Sequence, residues 1–360
     1  MNVISILRTT AWTGLLMPLM LGAQTALAEP LVYVPLGGEN KIVAIDATKD
    51  EIVDTISGLA AVHGLAGTPD GRFLIAGSFE TRAPDGEAVA KPAGVSEDEH
   101  AAHHGAASAP ANAKADATVS TVSVIQTTDG SVVRRIDVPG AVHHVVVSPD
   151  GRLAVVTHPN DGAISAIDLG SYELVATVAT GPQPNYAAFG PEGDRLFVSN
   201  AGNDTVSEVD TTRWIVRSNT VVGSSPEHVV LADDGATLYV NNVEDGTVSV
   251  LDVGDRKIVK TIPIGSTLHG IDLSDDGRTL FVTALGDDKV VAVDLGTGAE
   301  RSASLAPAPY HLAVVRGTGK LYVSSADQPK IWVIDQRNLE ILGEIPIGGK
   351  GHQMVQGAGG

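Results

Sequence analysis

The chain is a long succession of short runs in which apolar residues alternate with polar or small ones, the period-two pattern of β-strands. In the stretch from His228 to Ile264 these runs are HVVLA, TLYVNN, TVSVLD and KIVKTIPI. Asp-Gly, Gly-Asn and Pro-Asp-Gly turns separate them, and almost nothing carries the 3.6-residue period of an amphipathic helix. The four-run unit recurs. Counterparts of STLHGIDLSDDGRTLFV, which starts at Ser266, begin at His63, at His143 or His144, at Asn185, at His228, at His311 and at His352. From His144 onward the step is about 42 residues. Histidine stands at this phase in every repeat except the one beginning at Asn185. With 11 histidines in 360 residues, random placement would put about 0.2 of them at seven chosen positions, so chance is not an explanation.

A four-stranded unit of about 40 to 45 residues repeated around a ring is the period of a β-propeller. Second strands can be counted directly: LVYVPL, RFLIAGS, RLAVVTH, RLFVSN, TLYVNN, TLFVTA and KLYVSS. The first of these opens the repeats, and a lone first strand follows His352. The C-terminal strand is therefore expected to complete the N-terminal blade and leave no open sheet edge in the ring. The fold class predicted is all-β, a seven-bladed propeller of four-stranded blades.

The motifs LYVNN, LFVSN, LYVSS and LFVTA, followed by TVSVLD and preceded by SPDGR, resemble the YVTN-repeat β-propellers, relatives of the cytochrome d1-type propeller. The resemblance covers residues 31–356. It implies the fold and leaves function open, because that family includes surface proteins, binding proteins and enzyme domains. The chain departs from the generic repeat at the histidine, a position that varies in the family.

The ends and the charge narrow the setting. Residues 1–28 combine Arg8, an apolar run from Ala11 to Gly22 and Ala26-Leu27-Ala28, the form of a secretory signal peptide cleaved after Ala28. The expected product is a periplasmic or secreted protein with a single propeller over residues 29–360 and no membrane span, since the apolar run is short and broken by Pro18. The chain has no cysteine, which excludes disulfides and thiolate ligands. Its formal charge of −19 argues against nucleic acid and anionic membranes and favours cations.

Between His63 and His144 the spacing doubles. The surplus is residues 79–117, rich in Ala, Pro, Gly and charge, which cannot build a core and are read as a flexible loop joining the second and third strands of the second blade. It carries EDEHAAHHG, so His100, His103 and His104, beside Glu97, Asp98 and Glu99, form a candidate metal-capture tract. The loop is expected over the face on which the first strands begin.

First strands line the channel of a propeller, so equivalent residues at their starts converge as a ring at one height. His63, His143, His144, His228, His269, His311 and His352 are the candidate ligands, because neutral imidazole suits zinc, copper and nickel. Seven blades make the ring too wide for one ion to reach every member, so three or four would hold one metal or the ring a small cluster. The competing reading is a hydrogen-bonded brace. Against it, no carboxylate partner recurs in phase; Glu227 and Asp272 occur once each. The aspartates ending the third strands, Asp46, Asp168, Asp210, Asp252, Asp294 and Asp335, are read as turn formers, and His158 as a turn residue on the same face, with a loop ligand as the alternative. No nucleophile motif, phosphate-binding loop or paired-carboxylate pattern stands out.

Three functions follow. The first is a periplasmic metal-binding propeller for zinc or copper in buffering or delivery, which resembles in design the propeller-type zinc chaperones of bacterial importers. The second is a copper- or haem-dependent oxidoreductase, similar in architecture to nitrous oxide reductase and thiocyanate dehydrogenase. Nitrous oxide reductase also needs a cupredoxin domain with cysteine ligands, which this chain lacks. The third is a protein-interaction scaffold. The partners implied are the metal ion and a periplasmic metal-binding or electron-transfer protein.

Overall fold

The computed structural model describes Met1 and residues 30–84 and 118–357. The expected signal peptide and the tract with His100, His103 and His104 lie outside the described residues. Seven four-stranded antiparallel sheets make up the chain, with only three short 3-10 turns as helix among the described residues. The blades span residues 62–139 (blade 2), 145–179 (blade 3), 184–221 (blade 4), 226–263 (blade 5), 268–304 (blade 6) and 309–346 (blade 7). Blade 1 joins residues 31–57 to the C-terminal strand Val355–Gln356, which pairs Val355 with Tyr33 and Gln356 with Val32. The seven-bladed ring closed by its termini is as the repeat count predicts.

Each of the seven interfaces between neighbouring blades is filled by an apolar cluster, and these hold the ring together. Val34 and Val43 of blade 1 meet Tyr322 and Ile331 of blade 7, Ile42 and Ile56 meet Leu65 and Leu74 of blade 2, and Phe281 and Val290 of blade 6 meet Leu321 and Trp332. Each fully buried Val, Leu or Ile contributes about 1.5–3 kcal/mol, so the stability is shared among the interfaces.

Sandwiching between blades also changes the alternation. The second strand Thr237–Asn242 is buried over its last five residues, polar ones included, whereas the outer strand Lys257–Pro263 buries only Ile262. Inner strands are therefore covered on both faces, and their alternating polar residues need internal partners. The third-strand aspartates are turn formers, as the sequence suggests. Their carboxylates accept backbone N–H groups two or three residues on: Thr48 to Asp46, Gly170 to Asp168, Thr212 to Asp210, Asp255 to Asp252, Thr297 to Asp294 and Arg337 to Asp335, at 2.7–2.9 Å.

Candidate metal centre

The seven histidines come together, at two heights rather than one. In blade 5, Pro226 pairs with Asn242 and Val229 with Val240, so three steps on the first strand match two on the second. The extra residue is a β-bulge, which re-aims side chains at a strand end. Glu227 and His228 are the two bulge residues. The same shift occurs in the first strands of blades 2, 4, 6 and 7.

Register then sorts the hub. Ala187 pairs with Val198 as Val229 pairs with Val240, so Asn185 corresponds to Glu227 and Tyr186 to His228. The histidine phase therefore splits over two places, and blade 4 fills them with Asn185 and Tyr186. His63 and His269 share the place of Glu227, with Gly64 and Gly270 following at the place of His228. In blade 7 the pair is Tyr310 and His311, in blade 3 His143 and His144, and in blade 1 His352 and Gln353. The upper tier is thus His352, His63, His143, Asn185, Glu227, His269 and Tyr310. The lower tier is Gln353, Gly64, His144, Tyr186, His228, Gly270 and His311.

Neighbours in the upper tier touch around the ring. Ring centroids are 4.2 Å apart for His352 and His63, 4.7 Å for His63 and His143, and 3.8 Å for His269 and Tyr310. Glu227 Oε2 lies 4.0 Å from His269 Nε2. In the lower tier the histidines come from alternate blades: His144 and His228 are 5.0 Å apart, His228 and His311 5.0 Å, and His144 and His311 6.0 Å. The glycines between them admit the next blade's backbone. A Cβ on Gly270 would fall 2.5 Å from Leu312 N, and one on Gly64 would fall 2.8 Å from the His143 carbonyl oxygen.

Every histidine of the hub is 5% exposed or less. Backbone carbonyls of the following blade orient three of them: His63 Nδ1 lies 3.0 Å from His143 O, His144 Nδ1 2.9 Å from Asn185 O, and His143 Nδ1 3.4 Å from the same oxygen. A carbonyl only accepts, so Nδ1 carries the proton and Nε2 keeps the lone pair that a metal needs. Nε2 of His311 is buried with no hydrogen-bond partner among the described residues. Burial holds the His311 pKa well below the ordinary imidazole value, and the neighbouring histidines add to the shift. Burial alone raises Glu227 to about 8, and burial, with a smaller push from the Asp272 charge and against the Gln353 hydrogen bond, raises Tyr186 to about 12.

Second strands lock the bulges in place. Thr157 Oγ1 donates to Asn185 O (2.9 Å), Ser199 Oγ to Glu227 O, Asn241 Nδ2 to His269 O (2.5 Å) and Thr283 Oγ1 to Tyr310 O (2.6 Å). Each ties one blade to the upper-tier residue of the next. Within the lower tier Gln353 spans from blade 1: its Oε1 accepts from Leu65 N, and its Nε2 donates to Val145 O and Tyr186 Oη.

Two groups have ligand atoms all within 4.8 Å of one another, His144 with His228 and His311, and Glu227 with His228 and His269. A tetrahedral zinc site with Zn–N of about 2.0–2.1 Å spaces its nitrogens about 3.3 Å apart, so ligand atoms within 4.8 Å of one another need to close by at most about 1.5 Å. His63, His143 and His352 sit in the upper tier outside both groups. His158 is neither a loop ligand nor a turn residue. It is buried, with Nδ1 donating to Ala141 O and Nε2 accepting from Ser165 Oγ, so both nitrogens are committed. Tyr186 and Gln353 escaped sequence reasoning, and Glu227 entered it only as a brace partner, although each lies beside or at the marked phase.

The geometry defines a closed seven-bladed β-propeller with a buried histidine hub. The profile of a family described as "Lactonase, 7-bladed beta-propeller" matches residues 154–321, from blade 3 into blade 7. Among solved structures, the chain is similar to Kuenenia stuttgartiensis hydrazine synthase, with 17% identity and a TM-score of 0.67, covering 90% of this chain and 100% of that one. A 6-phosphogluconolactonase-like protein of Bacteroides uniformis gives 14% identity, a TM-score of 0.70 and coverage of 91% and 99%. Dihydro-heme d1 dehydrogenase NirN in complex with DHE gives 15% identity, a TM-score of 0.62 and coverage of 88% of this chain and 63% of that one. At these identities the likeness is one of fold, and it bears out the resemblance to d1-type relatives read from LYVNN and LFVSN. No curated protein sequence matches the chain.

Proposed function

We propose that the protein binds a transition metal, zinc or copper, at the hub and serves in buffering or delivery in the periplasm. The observation that carries this reading is the buried lower-tier triad, His144, His228 and His311, drawn from alternate blades with ligand atoms within 4.8 Å. Three neutral imidazoles in that spacing suit Zn²⁺ and copper, with a further donor completing four-coordination. Bracing and ligation are compatible here. The carbonyl bond to Nδ1 of His144 fixes the ring with Nε2 presented, the usual support of a metal-bound histidine. No helix among the described residues is long and apolar enough to cross a membrane.

The test is a titration of chelator-stripped protein with Zn²⁺ and with Cu²⁺ at neutral pH, beside elemental analysis and an optical spectrum of protein from its native source. Wild type should bind, and the combined variant His144→Ala, His228→Ala and His311→Ala should lose at least about a thousandfold in affinity. Wild-type affinity in that variant, or no binding by the wild type, would sink the reading. A haem or copper-cluster absorption in native protein would favour the oxidoreductase instead.

A further inference from the structure

His228 belongs to both compact groups of the hub. One is the lower triad; the other is Glu227, His228 and His269. Glu227 stands at the bulge place that His63, His143, His269 and His352 fill in other blades. It is 3% exposed, and its nearest charged partner among the described residues is His269 Nε2 at 4.0 Å. No Lys or Arg pairs with it among the described residues. A carboxylate taken out of water without a strong cationic partner is costly, and buried carboxylates are retained where they pair or coordinate metals. Two imidazoles and one carboxylate are also a known zinc ligand set.

We propose that Glu227, His228 and His269 form a second position for the same ion, one residue nearer the face where the first strands begin, and that His228 passes the ion between this position and the triad. The inference rests on the metal-binding reading above. The upper position holds a carboxyl group and receives the incoming divalent cation, which takes the place of the Glu227 proton; the lower one is all-nitrogen and flanked in its own tier by Gln353 and Tyr186, which are hydrogen-bonded to each other. Because His228 is shared, the two positions are alternative stops on one path, and the hub holds one ion at a time. Besides the metal–ligand bonds only the Glu227 O–H bond breaks, its proton passing to water as the ion takes the oxygen and returning when the ion moves to the triad; the ion keeps its oxidation state throughout. The donor sets match the direction: a carboxylate oxygen attracts a hydrated cation, and imidazole nitrogens hold zinc and copper more tightly once water is shed.

The experiment uses the full chain, stripped by chelator, with Zn²⁺ for stoichiometry and loading rates and Co²⁺ as a spectroscopic probe. Wild type should take up one ion per chain. Glu227→Gln, which keeps shape and removes charge, should slow loading by about tenfold or more. His311→Gln should leave the ion on Glu227, His228 and His269 and change the Co²⁺ visible spectrum. The double variant Glu227→Gln with His311→Gln should bind at least about a hundredfold more weakly than His311→Gln alone. Glu227→Asp, which restores the charge, should load faster than Glu227→Gln, and matched circular dichroism of all variants separates this from misfolding. Two ions per wild-type chain, held by both nitrogens of His228, would overturn the proposal, as would a wild-type loading rate in Glu227→Gln. Failure of wild type to bind any metal would remove the metal-binding reading itself, and this inference with it.

Discussion

His311 and Glu227 are held neutral in the fold by the same cause, burial, and so they respond to pH in opposite directions. An unfolded histidine titrates near about 6.5, and His311 in the hub titrates well below that. Below about pH 6.5 the unfolded chain therefore binds a proton that the folded chain refuses. Stability falls as pH drops through this window, by up to about 1.4 kcal/mol per pH unit for one such group. The apo protein should melt at a lower temperature at pH 5 than at pH 7, and His311→Gln should flatten that dependence; an unchanged slope would contradict the placement of His311. Glu227, raised to about 8, binds a proton in the folded state that the unfolded state has released above about pH 4.3. Its cost appears as pH rises from about 4.3 to 8, so apo Glu227→Gln should gain stability over wild type at pH 9 relative to pH 5. The sequence marks both residues, but their neighbours are imidazole rings of other blades. That is why the absence of an in-phase carboxylate could not separate a brace from a ligand.

The first strands of blades 4 to 7 each carry a bulge that is stitched to the preceding blade's second strand. The polar letter in LFVSN, LYVNN and LFVTA is visible in sequence as Ser199, Asn241 and Thr283. Its task is not, because the partner is an upper-tier carbonyl some 27 or 28 residues away. Thr283→Val keeps the shape and leaves the buried Tyr310 carbonyl without its donor, which should cost about 1–3 kcal/mol in urea unfolding. Gly270→Ala forces a Cβ against Leu312 N at 2.5 Å. Backbone on the other side cannot step aside as a flexible side chain would, so a loss of about 1–3 kcal/mol and a weaker metal site are expected. Unchanged stability in both variants would mean that the bulges do not set the hub's geometry.

Closure of the ring and construction of the hub are one event at the scale of the molecule. The C-terminal segment supplies His352 to the upper tier, Gln353 to the lower one as a strut to blades 2, 3 and 4, Met354 to the cluster between blades 7 and 1, and the strand that completes blade 1. Removing residues 352–360 should cost at least about 3 kcal/mol through Met354 and the Gln353 bonds alone, read as a drop of several degrees in melting temperature. Metal should stabilise the intact ring by mass action, by about 2.7 kcal/mol at a hundredfold excess over the dissociation constant.

The seven-fold period, the four strands per unit, the closing C-terminal strand and the gathering of the histidines are all determined by the sequence, because period and alternation are local and repeat arithmetic fixes the ring. Only the tertiary structure decides the rest. The bulge splits one phase into two tiers and brings Glu227 beside His228 and His269, and the fold commits both nitrogens of His158 to bracing. These outcomes depend on register between strands and on carbonyls contributed by the next blade, contacts for which side-chain identity along the chain carries no signal.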